Sequence, residues 1–314
     1  MAEKKAEQYY TPPPKLGKWE GFRVFLWNSE THQFMGRTGS SWAKILLFYI
    51  IFYIALIGFF AAMLAIFYQT LDAKVPKWQQ DSSLIGSNPG LGFRPMPPES
   101  NVESTLIWYV GSKPDNYKYW TDEIDSFLKA YKNSESKTDN RVECTYAKGP
   151  KKDEVCDVDI SLWKPCVSEQ HYNYHNHGPC IFLKLNKIFG WAPTVYNDTE
   201  NLPAAMPQHL KEYIQTKVKL DNNTINTVWV DCEGENPADA ENIGSIKYYP
   251  HRGFPAYYFP FMNLEGYLSP LVAVNFEDPK RGVLINIECK AWAHNIHHDR
   301  YERRGSVHFE LMVD

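Results

Sequence analysis

Between Ile45 and Tyr68 the chain carries 24 consecutive residues without a charge, Ile-Leu-Leu-Phe-Tyr-Ile-Ile-Phe-Tyr-Ile-Ala-Leu-Ile-Gly-Phe-Phe-Ala-Ala-Met-Leu-Ala-Ile-Phe-Tyr. No other stretch restricts the possible folds so severely. At about 1.5 Å of rise per helical residue the run covers about 36 Å, more than the roughly 30 Å of a bilayer's hydrocarbon core. Lipid offers no hydrogen-bond partners, so a lone segment of this length must satisfy its backbone internally, as a helix. It is too long and too deep in the chain for a secretory leader, and Gln69-Thr70-Leu71-Asp72 follows it rather than a small-residue cleavage site. A retained single transmembrane helix over 45–68 is expected.

The sequence differs on the two sides of this run. Residues 1–44 contain no Cys and no N-x-S/T sequon. All six cysteines (Cys144, Cys156, Cys166, Cys180, Cys232 and Cys289) follow the run, as do the sequons at Asn197 and Asn222. An even cysteine count beside glycosylation acceptors indicates maturation in an oxidising lumen. Basic residues orient the span less clearly, because Arg37 and Lys44 on one side face Lys74 and Lys77 on the other. The cysteines and sequons decide for a type II arrangement: a cytoplasmic tail (1–44), the span, an extracellular stalk (69–103) and a disulfide-bonded, glycosylated ectodomain (104–314). The length of the span suits a thick plasma membrane. A net charge of −4 gives no case for nucleic-acid binding.

Along the chain, Thr11-Pro-Pro-Pro14 predicts an extended lead. Trp19, Phe22, Phe25, Leu26, Trp27, Phe34 and Trp42 are too apolar for a solvated tail; they read as an interfacial aromatic belt or as a docking segment for a partner's cytoplasmic face. At 100° per residue the span has an aromatic face (Tyr49, Phe52, Tyr53, Leu56, Phe60 and Phe67) and a small-residue face (Ala55, Gly58, Ala61, Ala62 and Ala65). A plain anchor needs neither; small residues admit a second helix closely, and tyrosine hydroxyls in hydrocarbon seek a protein acceptor. Residues 72–100, rich in Pro, Gly, Ser and Asn, read as loop. Trp120, Ile124, Phe127, Leu128 and Tyr131 mark a one-sided helix over 116–132. Asn133–Asp153 reads as a polar surface loop. Short runs at 104–110, 155–162, 181–185, 227–230, 245–249, 271–276, 283–292 and 307–313 predict a two-sheet β-sandwich with one inserted helix. Six cysteines permit 15 pairings, and neighbour pairing would contribute about 3, 3 and 4 kcal/mol from loop closure.

Signs of catalysis are sparse. Asp157-Val-Asp159 is a literal Asp-x-Asp, which in a type II glycosyltransferase would hold a divalent ion against a nucleotide diphosphate. Here it sits beside Cys156 in a region without alternating strand–helix units, so a solvated strand end is the better reading. His171, His175 and His177 have zinc-compatible spacing but lie in a polar loop; His294, His297 and His298 take the same discount. No P-loop, Asp-Lys-Thr-Gly, His-Glu-x-x-His or Gly-x-Ser-x-Gly motif occurs. Neither a cofactor nor a metal is expected, and the chain reads as a non-enzyme.

Several long, collinear motifs resemble the beta subunit of the animal sodium/potassium-transporting P-type ATPase, a family shared with the proton/potassium pump. They are Trp27-Asn-Ser-Glu, Phe34-Met-Gly-Arg-Thr-Gly, the Ser41–Tyr53 stretch, Pro179-Cys-Ile-Phe-Leu-Lys-Leu-Asn-Lys-Ile-Phe-Gly, Gly253-Phe-Pro-x-Tyr-Tyr-Phe-Pro-Phe, Tyr267-Leu-Ser-Pro-Leu-Val-Ala-Val-x-Phe and Ile287-Glu-Cys-Lys-Ala-Trp. The resemblance implies an immunoglobulin-like ectodomain and disulfides in sequence order. It implies contact with the pump's alpha subunit through Tyr49 and Tyr53, on the aromatic face with Phe52 and Phe60. It further implies an ectodomain surface for the same partner around Tyr258, Phe259, Pro260, Phe261, Tyr267 and Leu268. The implied role is an accessory subunit that stabilises the alpha subunit, delivers it to the plasma membrane and modulates potassium affinity. A third small single-span subunit is a further candidate occupant of the Gly58/Ala62 face. A cell-adhesion glycoprotein is the alternative from another class, and the glycosyltransferase a remote one.

Overall fold

The computed structural model describes residues 17–101, 103–132, 139–299, 301–302 and 304–314. The Pro-rich lead and residues 133–138 of the polar loop lie outside the described residues. The chain divides into two compact units, 1–72 and 73–314.

In the first unit a short helix, α1 (Lys18–Leu26), leads into a small antiparallel meander, β1 (Trp27–Asn28), β2 (Gln33–Phe34) and β3 (Arg37–Thr38). The long helix α2 (Gly39–Gln69) follows directly. Its 31 residues exceed the uncharged run because Thr38 turns out of extended backbone into the helix six residues before Ile45. The Trp42 indole donates to Phe34 O at 2.8 Å and fixes the meander to the first turn. At the far end Thr70 closes the helix, its hydroxyl donating to Phe67 O at 2.8 Å. The mean hydropathy of α2 reaches 2.7 in its most apolar window, and none of that window is buried within the protein.

The second unit is a β-sandwich. One sheet has the order β10 (Ile246–Tyr249), β12 (Val272–Phe276), β8 (Cys180–Leu185), β4 (Leu91–Arg94). The other runs β11 (Gly253–Pro255), β9 (Thr227–Gly234), β13 (Ile285–Trp292), β14 (Ser306–Val313), β5 (Leu106–Tyr109). All ladders in the two sheets are antiparallel except β14 with β5. Alternation drives the layering: in β14, Phe309, Leu311 and Val313 point inward, while His308, Glu310 and Met312 are only half-buried. β8 and β12 instead are buried on both faces, because the outer face of their sheet is also covered; Phe182 meets Trp163 and Tyr172 there.

Helix α3 (Pro114–Lys132) buries Tyr117, Trp120, Thr121, Ile124 and Leu128, with Phe127 and Tyr131 packed half-exposed against the core. The Trp120 indole donates to Trp108 O at 3.0 Å, and the Tyr131 hydroxyl to Ser269 O at 3.0 Å.

Four expectations change. The stalk contributes β4, whose Leu91 and Phe93 enter the core opposite Leu185 and Leu183. Of the 155–162 run, only β7 (Val155–Cys156) is strand, paired in parallel with β6 (Arg141–Val142); Val158 and Ile160 reach the core from a loop. A second long helix, α4 (Gln208–Leu220), lies on the outer face of the five-stranded sheet, where Leu210 and Ile214 join Tyr196, Met206, Trp229 and Trp292 in a separate core. The short α5 (Pro237–Asn242) is capped by the Asn236 side chain, whose Oδ1 accepts from Asp239 N.

The disulfides are Cys144–Cys156, Cys166–Cys180 and Cys232–Cys289. Cys232 and Cys289 stand directly opposite each other on β9 and β13. This bridge therefore staples one sheet, whereas an antibody-type sandwich joins its two sheets by the corresponding bond.

Candidate docking surfaces

On α2, Tyr49 and Tyr53 lie one turn apart with ring centroids 6.1 Å apart, and Phe48 and Phe52 stack beside them at 6.2 Å. Phe52 meets Tyr53 edge-on at 5.5 Å, so the four rings form one continuous aromatic strip. Phe60 is exposed two turns further on. A Cβ added at Gly58 would meet nothing within 4 Å, so the small-residue face is open to close approach.

The set in the sandwich unit is less uniform than its sequence. Leu268 is buried in the sandwich core. Phe259 sets its ring edge-on to Trp191 at 5.4 Å and packs on that core. The Tyr258 hydroxyl donates to Asp157 O at 3.0 Å, and burial raises its pKa well above the phenol range. These three side chains are occupied internally. Pro260 is exposed, and Phe261 and Tyr267 are half-exposed with ring centroids 5.0 Å apart. Lys187 lies over both rings, its Nζ 4.9 Å from Phe261 and 5.2 Å from Tyr267. Burial lowers the Lys187 pKa. The exposed side of this segment is thus Pro260, Phe261 and Tyr267, joined by Lys187 and exposed Met262, which the sequence reading did not single out.

Glycine explains how the segment is seated. A Cβ at Gly253 would stand 2.4 Å from Val228 O, so only glycine allows β11 to lie this closely on β9. Downstream, Gly190 N donates to Phe261 O at 2.9 Å, and the Asn263 amide donates to Lys74 O at 3.1 Å. Lys74 is five residues past the last residue of α2.

Asn197 and Asn222 are both exposed and flank α4 in sequence. Asn222 opens a 3-10 turn (Asn222–Ile225) capped by the Asp221 carboxylate, and Gln215 of α4 donates to Thr199 O at 3.3 Å. Both acceptors therefore border the layer that α4 adds outside the five-stranded sheet.

Four of the residues weighed for catalysis are engaged within the sandwich unit. Asp157 Oδ1 accepts from Val158 N, and Asp159 Oδ1 accepts from Ser161 N. The His177 ring lies against Gly111, where a Cβ would come within 2.5 Å of it. His298 Nε2 is 2.8 Å from Ala291 O, and burial lowers its pKa. Among the described residues no group of three or more His, Cys, Asp or Glu side chains could hold a metal ion. A polar cluster missed in the sequence centres on buried Asp231, which pairs with Arg252, receives the Tyr248 hydroxyl at 3.3 Å and has His209 Nε2 at 2.9 Å. Its members are spread over residues 209–252, so no local pattern announces it.

Residues 13–309 match the family described as sodium/potassium ATPase beta chain. The chain is 54% identical over 311 residues to the sodium/potassium-transporting ATPase subunit beta-2 of Drosophila melanogaster, covering 98% of this chain and 96% of that one. It is 41% identical to subunit beta-1 of the same organism, over 96% and 95% of the two chains. It is 29% identical to the human subunit beta-2, over 94% of each. A β-sandwich behind a single apolar helix and near end-to-end similarity lead to one conclusion: the chain belongs to the sodium/potassium ATPase beta chain family.

Proposed function

We propose that this protein is the non-catalytic beta subunit of a sodium/potassium pump, holding the catalytic alpha subunit through two surfaces. The observation that carries this reading is the continuous aromatic strip on α2, none of which is buried within its own unit. A tyrosine in hydrocarbon needs an acceptor that lipid tails do not provide, and a neighbouring helix does. The ectodomain face of Pro260, Phe261, Tyr267 and Lys187 is the second surface. The N-terminus is cytoplasmic and the sandwich extracellular, at the plasma membrane; all six cysteines paired and both sequons exposed support that orientation. A subunit that binds one conformer of a pump better shifts its equilibrium by that difference, which is how this chain modulates potassium affinity as well as stabilising and delivering its partner. The open Gly58 face leaves room for a third small single-span subunit.

Affinity purification of the full chain from native membranes in mild detergent tests the reading. A catalytic P-type ATPase chain should co-purify at about one to one, as a stable 1:1 complex requires. A chain that emerges alone would contradict it.

A further inference from the structure

Helix α1 and the meander carry a cluster of exposed aromatic side chains outside the span. Trp19 is 80% exposed, Phe22 52% and Phe25 50%. At 100° per residue Trp19, Phe22, Phe25 and Leu26 fall within an arc of about 120°, with Glu20 and Arg23 outside it. This is the pattern of a helix lying in a membrane surface, apolar side down.

Two hydrogen bonds limit where that surface can be. Met35 N donates to Leu26 O at 3.2 Å, tying the end of α1 to the meander. The Trp42 indole, donating to Phe34 O, ties the meander to α2 three residues before the uncharged run begins. The apolar face of a helix about 14 Å long is therefore held beside the point where the span enters lipid. Exposed Arg37 and Lys44 line a shallow hollow with Trp42, Ile45 and Tyr49 at that point, and exposed Arg23 lies in the last turn of α1; all three suit phosphate oxygens.

We propose that α1 and the β1–β3 meander are an in-plane interfacial anchor, seating Trp19, Phe22, Phe25 and Leu26 at the boundary between phospholipid headgroups and acyl chains. The anchor fixes the level of the span's first turn and keeps the aromatic strip at a set depth.

The test uses the full chain co-purified with its pump partner and reconstituted into phosphatidylcholine vesicles, with lipids brominated either near the headgroup or near the acyl end. The Trp19 signal is the difference in fluorescence between the wild type and Trp19→Phe, a change small enough to preserve folding. Shallow bromines should quench Trp19 roughly twofold more than deep ones, since an interfacial helix sits about 5–10 Å into the boundary. Phe22→Asp with Phe25→Asp should abolish that quenching. A Trp19 signal untouched by either lipid overturns the proposal, whether the indole faces water or is docked on the partner's cytoplasmic face. Quenching equal at both depths, or unchanged in the double variant, overturns it as well.

Discussion

Helix α2 and the sandwich are both rich in large apolar side chains, yet they use them in opposite ways. The helix buries none of its 31 residues, while the sandwich encloses Phe93, Phe182, Phe254, Phe276 and Phe309 almost completely. In the sandwich, apolar side chains find partners within the chain. On α2 their only available partners are lipid and another polypeptide. The difference teaches that the packing that stabilises this protein resides in the sandwich, while the apolar surface of α2 is left for something outside the chain to cover. Mutations in the two regions should separate cleanly into effects on melting and effects on assembly.

Removing the longest covalent loop gives the largest expected effect. Cys232→Ser with Cys289→Ser opens a loop whose ends are 57 residues apart, and should cost the ectodomain about 4 kcal/mol. Thermal unfolding of the purified chain measures it, and membrane insertion of α2 should be unaffected. Next comes the buried ion pair: Asp231→Asn leaves the Arg252 guanidinium without its counter-charge, at about 3 kcal/mol by the same assay. Phe60→Ala, made in the exposed helix, should change ectodomain melting by less than about 0.5 kcal/mol and act only on complex recovery. A large loss of melting stability there would break the comparison.

The smallest effect depends on pH. His308 lies between Glu235 and Glu310, with Glu288 opposite on β13. Burial works against its charged form, but hydrogen bonds to the two carboxylates outweigh it and raise the pKa. A raised histidine pKa contributes stability that is full below the unfolded value of about 6.5 and is lost as pH climbs through the folded value. Relative to His308→Gln, the wild type should therefore melt higher at about pH 6, with the gap closing toward alkaline pH. A gap that widens with pH would contradict the assignment.

Much of this was legible in the sequence, for physical reasons. The span needs only length and absence of charge. β14 follows strict alternation, and the stripe from Trp120 to Tyr131 carries helical periodicity. What stayed hidden depended on contacts distant in sequence. β4 is disguised by the prolines and glycines around it and becomes a strand only because β8 offers an edge. Helix α4 shows Leu210, Tyr213, Ile214 and Val218 at helical spacing, a signal that short neighbouring runs obscured. In the aromatic–proline motif, the sequence could not say that Phe259 and Leu268 turn inward while Phe261 and Tyr267 stay at the surface under Lys187.

The central claim is that the aromatic strip on α2 grips another membrane chain. Its most direct test is Tyr49→Ala with Tyr53→Ala, reading recovery of the catalytic chain after mild-detergent purification beside melting of the ectodomain. The account predicts reduced recovery or altered potassium affinity at an unchanged melting temperature. Full recovery with unaltered transport kinetics would contradict it.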